Sequence, residues 1–192
     1  MNKIGLTGGI GVGKTFVASI FQKMGIAVFS ADIYAKRCMQ ESKELKDVIV
    51  QCFGAHVYKN GELQKQKLAE IVFSDSEKLN VLNKLVHPFV QIEFEKWCKS
   101  QTSSFVLKEA AILFESDSHK NLDAIICVSA PLQIRIERVM QRDRCSEQAV
   151  LKRIANQMAE EEKEQLSDFV IINDSKEKLL PQIISISKKL TD

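Results

Sequence analysis

The residues with the clearest chemical signature lie near the start of the chain, in a glycine-rich segment that ends in Gly-Lys-Thr. Residues 8–15 (GGIGVGKT) match the pattern G-x-x-x-x-G-K-[ST] at every fixed position. Glycines in such a P-loop let backbone N–H groups converge on phosphate oxygens. Lys14 is expected to bridge the β- and γ-phosphates of ATP, and the Thr15 hydroxyl to bind Mg²⁺. Predicted nucleotide contacts are Gly9, Gly11, Val12, Gly13, Lys14, Thr15 and Phe16.

The context of this motif separates it from a glycine-rich turn that binds no ligand. An apolar run precedes it, and a helical pattern follows in which Val17, Ile20, Phe21 and Met24 recur at i, i+3, i+4 and i+7 until Gly25. A strand before the loop and a helix after it are the setting that a phosphate-binding loop requires. The sequence therefore predicts an ATP site.

Asp32 is the first carboxylate after the second predicted strand. The carboxyl ends of parallel strands form the ligand-binding edge of an α/β sheet. A carboxylate there can accept a proton from an attacking hydroxyl or hold a Mg²⁺-bound water. It can equally cap a helix that begins at Ile33. The two roles are compatible, and position alone does not choose between them.

Three arginines share one face of a helix predicted over 131–143. Arg135, Arg138 and Arg142 are spaced i, i+3 and i+7. Such a stripe is usually a solvated surface, but an arginine that folds over a triphosphate neutralises the charge that develops during transfer. We predict that second role for Arg142, at the end of the helix, and an exposed surface position for Arg135. Residues 160–162, all glutamates, are expected to pair with the basic cluster that Arg144 and Arg153 extend.

The elements that position these residues alternate between strands and helices. Five short apolar runs predict strands that are buried on both faces, as in a parallel sheet: 3–6, 26–29, 105–107, 124–128 and 169–172. The fold class is therefore α/β, a P-loop kinase-like parallel five-stranded sheet flanked by helices. We predict a single kinase domain whose core comprises 1–31, 101–130 and 166–192, with a helical substrate-binding insertion over 32–100 and a lid over 131–165.

Inside the insertion, the sequence predicts where the helices begin and end. A capping box at 74–77 opens a helix, and His87-Pro88 is expected to end it, so that Pro88 starts the next helix. Residues 58–61 (YKNG) predict a tight turn. Cys52 and Cys98 are expected on apolar helix faces.

Other classes of P-loop protein lack support. A GTP-binding regulatory protein needs D-x-x-G and N-K-x-D patterns, and the sequence contains neither. An ATP-driven motor needs an apolar strand that ends in Asp, whereas the third strand ends Leu107-Lys108-Glu109. A nucleoside or nucleoside-monophosphate kinase of the same fold stays open, because only the acceptor separates it from other small-molecule kinases.

Composition limits compartment and partners. The net charge of +2 gives no reason to expect nucleic acid, and no apolar run is long enough to span a membrane. Five cysteines without a C-x-x-C pair favour reduced thiols in a cytoplasmic protein over zinc ligands. We expect a monomer or a weak homo-oligomer.

Several motifs in order along the chain resemble the dephospho-coenzyme A kinase family. The segments that carry the resemblance are 6–14 (LTGGIGVGK), 26–32, 85–88 (LVHP), 113–115 (LFE), 138–143 (RVMQRD), 153–157 (RIANQ) and 172–174 (IND). The resemblance implies phosphorylation of the ribose 3′-hydroxyl of dephospho-CoA, the last step of coenzyme A synthesis.

The same resemblance implies a role for each matching residue. Asp32 would be the general base, and the insertion around His87 would hold dephospho-CoA together with Lys36. Arg138 and Arg142 would contact the nucleotide phosphates. Either Glu109 or Glu115 is able to position a Mg²⁺-bound water.

Four positions depart from the family pattern. Ser30 replaces an aspartate, so that carboxylate's role is absent, and Ala111 replaces a proline. Lys36 stands where arginine is common, which keeps the charge but loses the bidentate fork. Phe16 stands where a hydroxyl residue is usual, and its backbone N–H can still reach the α-phosphate.

Overall fold

The computed structural model describes residues 1–191, apart from the side chains of Phe73 and Ser76. The chain divides into two compact units. One comprises Met1–Ser30 and Ser100–Asp192, and the other comprises Ala31–Lys99.

The first unit is built on a parallel sheet of five strands, as the apolar runs predict. Its strands are β1 (Asn2–Thr7), β2 (Ala27–Ser30), β5 (Phe105–Glu109), β6 (Ala124–Ser129) and β7 (Phe169–Ile172). Their order across the sheet is β2-β5-β1-β6-β7, and every neighbouring pair is parallel. This is the α/β P-loop kinase architecture that the sequence predicts. The central position of β1 places the loop that follows it in the middle of the sheet's carboxyl edge.

Helices of the first unit cover the sheet and bury its apolar residues. They are α1 (Lys14–Lys23), α6 (Leu132–Asp143), α7 (Glu147–Ala155), α8 (Glu160–Gln165) and α9 (Leu179–Thr191), with a 3₁₀ turn at Ser118–Asn121. Val17 and Phe21 of α1 and Ile183 of α9 are fully buried in one apolar cluster with residues of the strands. Gly25, at φ 87°, ends α1 as predicted because its N–H bonds back to the Gln22 carbonyl.

The second unit is helical apart from one hairpin. It contains α2 (Ala31–Glu41), α3 (Lys43–Phe53), a 3₁₀ turn at Ala55–Val57, β3 (Tyr58–Lys59), β4 (Glu62–Leu63), α4 (Lys65–Phe73) and α5 (Ser76–Cys98). Asn60 and Gly61 both have positive φ, 52° and 79°, and they form the predicted tight turn between β3 and β4. Cys98 is buried as expected, but Cys52 is exposed, so its predicted place on an apolar face is wrong.

Two predicted boundaries in this unit are wrong. Helix α5 continues through Pro88, which was expected to start a new helix. Four apolar residues at four-residue spacing lie buried on both sides of the proline: Leu82, Val86, Val90 and Phe94. Packing of this continuous stripe outweighs the one backbone hydrogen bond that proline removes. The N-cap of α5 is Asp75, whose carboxylate accepts from the N–H groups of Glu77 and Lys78, and not Ser74.

Candidate active site

The P-loop lies between β1 and α1, and its backbone is shaped for a ligand with many acceptor oxygens. Gly13 precedes α1 with φ 92° and Gly11 has φ 85°, values that favour glycine. The loop therefore ends on the N-terminus of α1, where free N–H groups and the helix dipole attract phosphate. Lys14 bends back along the loop, and its Nζ donates to the carbonyl oxygens of Gly8 at 2.7 Å and Gly9 at 3.1 Å.

Thr15, the predicted Mg²⁺ ligand, contacts a carboxylate from the neighbouring strand. Its Oγ1 donates to Glu109 Oε1 at 2.7 Å. Glu109 is the last residue of β5, which lies beside β1 in the sheet. Glu115 is engaged elsewhere: it forms an ion pair with Lys163 at 2.8 Å and accepts from the Met158 N–H at 2.9 Å. Of the two glutamates between which the sequence did not choose, Glu109 is the one that the structure brings to Thr15.

Arg138 reaches the carboxyl-terminal half of the P-loop. Its guanidinium donates to the Val12 carbonyl at 3.4 Å and to Ser175 Oγ at 3.0 Å. Asn173, after β7, donates to the same Val12 carbonyl at 2.7 Å. Val12 itself is fully buried, whereas the Phe16 side chain is 61% exposed. Arg138 thus lies beside the P-loop, and its contact with the nucleotide phosphates stays a prediction.

Arg142 lies one turn beyond Arg138 on α6 and contacts a different partner. Its side chain is 62% exposed and forms two hydrogen bonds with the Asp143 carboxylate, at 2.7 and 3.0 Å. Arg153 contacts the same carboxylate at 2.6 Å. These contacts, those of Arg142 first, lower the pKa of Asp143 to about 2. The role of Arg142 toward ATP stays a prediction.

Arg135 was predicted to be exposed, and that prediction is wrong. Its side chain is only 6% exposed, its Nη1 pairs with Glu160 at 3.0 Å, and its Nε donates to the Ile10 carbonyl at 3.0 Å. The predicted pairing of Glu160 with the basic cluster is present, and its partner there is Arg135. Glu160 also accepts the Gly9 N–H at 2.9 Å. A phosphate contact through that N–H would require Glu160 to move.

The predicted substrate residues belong to the helical unit. Helix α2 begins at Ala31, so Asp32 lies in its first turn rather than at an N-cap before Ile33, and its side chain is exposed. Lys36 is exposed one turn further along α2. His87 is half-buried within α5. A cavity of about 470 Å³ in this unit is lined instead by other residues of α2 and α5 and the start of α3, including Arg37, Cys38, Phe89 and Glu93.

Sequence reasoning missed three polar residues that contact the site or its neighbourhood, namely Gln157, Lys163 and Asn173, and it did not predict the contact of Glu160 with the P-loop. Gln157 and Asn173 lie within motifs of the family resemblance, which drew attention to them without giving them a role. Glu160 and Lys163 stand in a run of charged residues that has the composition of a solvated helix. Their side chains are 8% and 0% exposed.

Comparisons with known proteins agree with this geometry. The family model described as dephospho-CoA kinase matches residues 2–178. A dephospho-CoA kinase of Bacteroides fragilis (strain YCH46) is 36% identical over 185 residues, which cover 96% of this chain and 90% of that protein. The crystal structure of TT1252 from Thermus thermophilus has a TM-score of 0.86 and 32% identity, covering 100% of this chain and 98% of that one. A dephospho-CoA kinase structure from Campylobacter jejuni has a TM-score of 0.69 and 25% identity, covering 99% and 97%.

Proposed function

The chain belongs to the dephospho-CoA kinase family, and from that premise we propose how its residues divide the work of phosphoryl transfer. It is a kinase that transfers the γ-phosphate of ATP to the ribose 3′-hydroxyl of dephospho-CoA, which makes coenzyme A in the final step of its biosynthesis. The observation that carries this function is the family match over residues 2–178, which includes the P-loop, the helical unit and the arginines of α6.

The P-loop and α6 hold the nucleotide in this proposal. The N–H groups of Gly11, Val12 and Gly13, and those that open α1, surround the phosphates, while Lys14 exchanges its two carbonyl contacts for phosphate oxygens. Arg138, already at the Val12 carbonyl, offers a guanidinium at the edge of the loop. Arg142 would leave Asp143 and neutralise charge on the transferred group. Because phosphoryl transfer needs positioning and charge neutralisation above all, these contacts account for most of the catalysis.

The Thr15 hydroxyl and the Glu109 carboxylate fit a Mg²⁺ site. Hard oxygen donors suit this ion, which commonly takes one or two protein ligands, several waters and phosphate oxygens. Among the described residues no cluster of three or more His, Cys, Asp or Glu side chains is placed to hold a metal. Such sparse coordination is what a kinase Mg²⁺ site uses. We propose that Thr15 binds the ion and Glu109 orients one of its waters. When bound, Mg²⁺ supplies charge neutralisation on the phosphates.

The helical unit supplies the acceptor side. Asp32 is proposed to accept the proton of the 3′-hydroxyl as that oxygen attacks, a role for which an exposed carboxylate at the start of α2 is available. Lys36 is proposed to contact an anionic group of dephospho-CoA, and His87 to bind the same substrate. We propose the 32–100 insertion as the substrate-binding part of one kinase domain and the 131–165 segment as its lid.

The setting of the enzyme is also part of the proposal. We propose a cytoplasmic enzyme that acts as a monomer or a weak homo-oligomer on a small-molecule substrate without nucleic acid. Its five cysteines are free thiols, which suits a reducing compartment. None of the helices formed by the described residues is both long and apolar enough to cross a bilayer.

An acceptor panel tests the function. Purified protein is incubated with ATP, Mg²⁺ and, separately, dephospho-CoA, AMP, CMP, adenosine and shikimate, and ADP release is measured. Turnover with dephospho-CoA should exceed that with every other acceptor by at least about 10²-fold, and phosphorus NMR of the product should show a 3′-phosphomonoester. Equal or faster turnover with a nucleoside or nucleotide would replace the proposed acceptor and leave the P-loop chemistry in place.

A further inference from the structure

Three polar groups in the backbone of Gly9 and Ile10, at the tip of the P-loop, are bonded to side chains from the 131–165 segment. The fourth, the Gly9 carbonyl, accepts from Lys14. The Gly9 N–H donates to Glu160 Oε2 at 2.9 Å, and the Ile10 N–H donates to Gln157 Oε1 at 2.9 Å. The Ile10 carbonyl accepts from Arg135 Nε at 3.0 Å. Three consecutive peptide groups, from Gly8–Gly9 to Ile10–Gly11, are thus each bonded to one side chain, and those side chains come from the start of α6 and from around α8.

The ion pair that supports these contacts is buried. Arg135 and Glu160 have side chains 6% and 8% exposed and lie 3.0 Å apart. Burial raises the pKa of Glu160, and it outweighs Arg135 and the Gly9 N–H, which both lower that pKa. A buried pair of this kind gives little net stability. It nevertheless keeps its geometry, because separating the two side chains would leave each buried charge without its partner, which is strongly unfavourable. Each member of the pair also makes a hydrogen bond with the P-loop backbone: Arg135 with the Ile10 carbonyl and Glu160 with the Gly9 N–H.

Apolar packing holds the same point of the loop. The Ile10 side chain packs against a cluster formed by Ile136 and Val139 of α6 and Val150 of α7. The loop also fits closely around the pair. A Cβ added at Gly9 would collide with the Arg135 guanidinium and the Glu160 carboxylate, and one added at Gly11 would collide with the Arg135 backbone. Gly9 and Gly11 are therefore required by packing against Arg135 and Glu160.

We propose that the Arg135–Glu160 pair is a positioning device for ATP, which sets the P-loop backbone so that its phosphate-binding N–H groups converge before the nucleotide arrives. The two residues act through Gly9 and Ile10 and touch no phosphate themselves. This inference rests on the kinase function proposed above. It adds two specific residues to the site, neither of which belongs to the phosphate-binding motif.

The sign of the effect separates positioning from simple electrostatics. If the two side chains acted only through their charge, Arg135→Ala would weaken ATP binding and Glu160→Ala would tighten it, since ATP is an anion. If they position the loop, both substitutions weaken binding. We expect a loss of about 10- to 100-fold in ATP affinity for each, which equals about 1.4–2.8 kcal/mol. The KM for dephospho-CoA should stay within about twofold of the wild-type value.

The test is calorimetric titration of the full chain with ATP and Mg²⁺ in the absence of an acceptor. Ile186→Ala is the matched control, because it truncates a buried residue of α9 and lowers stability without removing a polar contact to the loop. It should keep the wild-type Kd. If Arg135→Ala does not fold, Arg135→Lys keeps the charge and the core volume, and it should still weaken ATP binding about 5- to 10-fold because one ammonium cannot reproduce the planar fork.

Three results would overturn the inference: tighter binding by Glu160→Ala, wild-type Kd in a folded Arg135 variant, or an equal loss in Ile186→Ala. The outcome does not depend on the acceptor. A wild-type protein that binds ATP but fails to phosphorylate dephospho-CoA would refute the proposed reaction and leave the comparison of Kd values valid.

Discussion

Replacement of Lys163 by methionine tests how strongly one buried ammonium group holds the segment after β5. The Lys163 side chain is fully buried, pairs with Glu115 at 2.8 Å and donates to the Ala111 carbonyl at 2.8 Å. Methionine has a similar length and fills the same space, so the substitution removes the charge and the hydrogen bonds without opening a large cavity. The carboxylate of Glu115 then loses its cation.

The expected loss follows from the exposure of that carboxylate. Breaking a fully buried ion pair by removing one partner costs about 3–5 kcal/mol. The Glu115 side chain is 22% exposed and keeps its bond from the Met158 N–H, so its charge remains partly solvated. We therefore expect Lys163→Met to lower the free energy of unfolding by the lower end of that range, about 3 kcal/mol. For a chain of this length about 1 kcal/mol shifts Tm by roughly 2–4 °C, which gives a fall of about 6–12 °C.

Urea unfolding and differential scanning calorimetry measure both quantities. The control is Lys120→Met, which breaks a pair of nearly the same length, 2.9 Å, between side chains 64% and 67% exposed. Water screens the attraction within such an exposed pair, so this variant should unfold almost like the wild type. Adding Glu115→Gln to Lys163→Met should recover part of the loss, because no carboxylate is then left without its cation. Equal stability of Lys163→Met and Lys120→Met would refute the reasoning.

Four further predictions concern the active site and its surroundings. Asp32→Asn should lower kcat by roughly 10²–10⁴-fold with little change in ATP binding; near-native kcat would exclude general-base catalysis by Asp32. Glu109→Gln should raise the Mg²⁺ concentration needed for half-maximal rate about 10-fold, since outer-shell partners commonly contribute 10–100-fold in metal affinity; an unchanged requirement would remove Glu109 from the metal site. Arg142→Ala should lower kcat by roughly 10³-fold, with Arg142→Lys also impaired, whereas full activity in Arg142→Ala would leave Arg138 as the candidate. The carboxyl of Asp143 should titrate with a pKa of about 2 in NMR. Because folding lowers this pKa, the contribution of the carboxylate to stability is present above about pH 4 and is lost as the pH falls toward 2. A titration midpoint near 3.9 would contradict the observed contacts.

The sequence predicted the sheet well because strand formation here has a local signature. Each of the five apolar runs coincides with an observed strand to within about two residues. Motif context also placed the P-loop correctly between β1 and α1. The order of the strands has no comparable local signal, since it depends on which elements pack together across the chain. The apolar runs therefore predicted a parallel sheet but not its strand order, and only the structure shows that β1 is central.

Local signals misled where tertiary packing outweighed them. Pro88 is a strong helix breaker in isolation, and the sequence was interpreted accordingly. The buried residues on either side of it, Val86 and Val90, belong to one apolar stripe, and the packing of that stripe keeps the helix continuous past Pro88. A proline marks a probable boundary, and the periodicity that continues past it was the better guide.

Arg135 and Arg142 show why a shared helical face is a weak guide to environment. They lie two turns apart on the same face of α6, yet Arg135 is almost fully buried and Arg142 is 62% exposed. The face is the same, but the P-loop backbone is bonded to it at Arg135 and Arg138. The partner of Arg135 is 25 residues away in sequence. No period in the sequence encodes that contact. The nearest signal was the surplus of glycine in the motif, since Gly9 and Gly11 occupy positions that the pattern leaves variable. Glycine at a position where the pattern accepts any residue indicates that another group packs closely there, and in this fold that group is Arg135 with its partner Glu160.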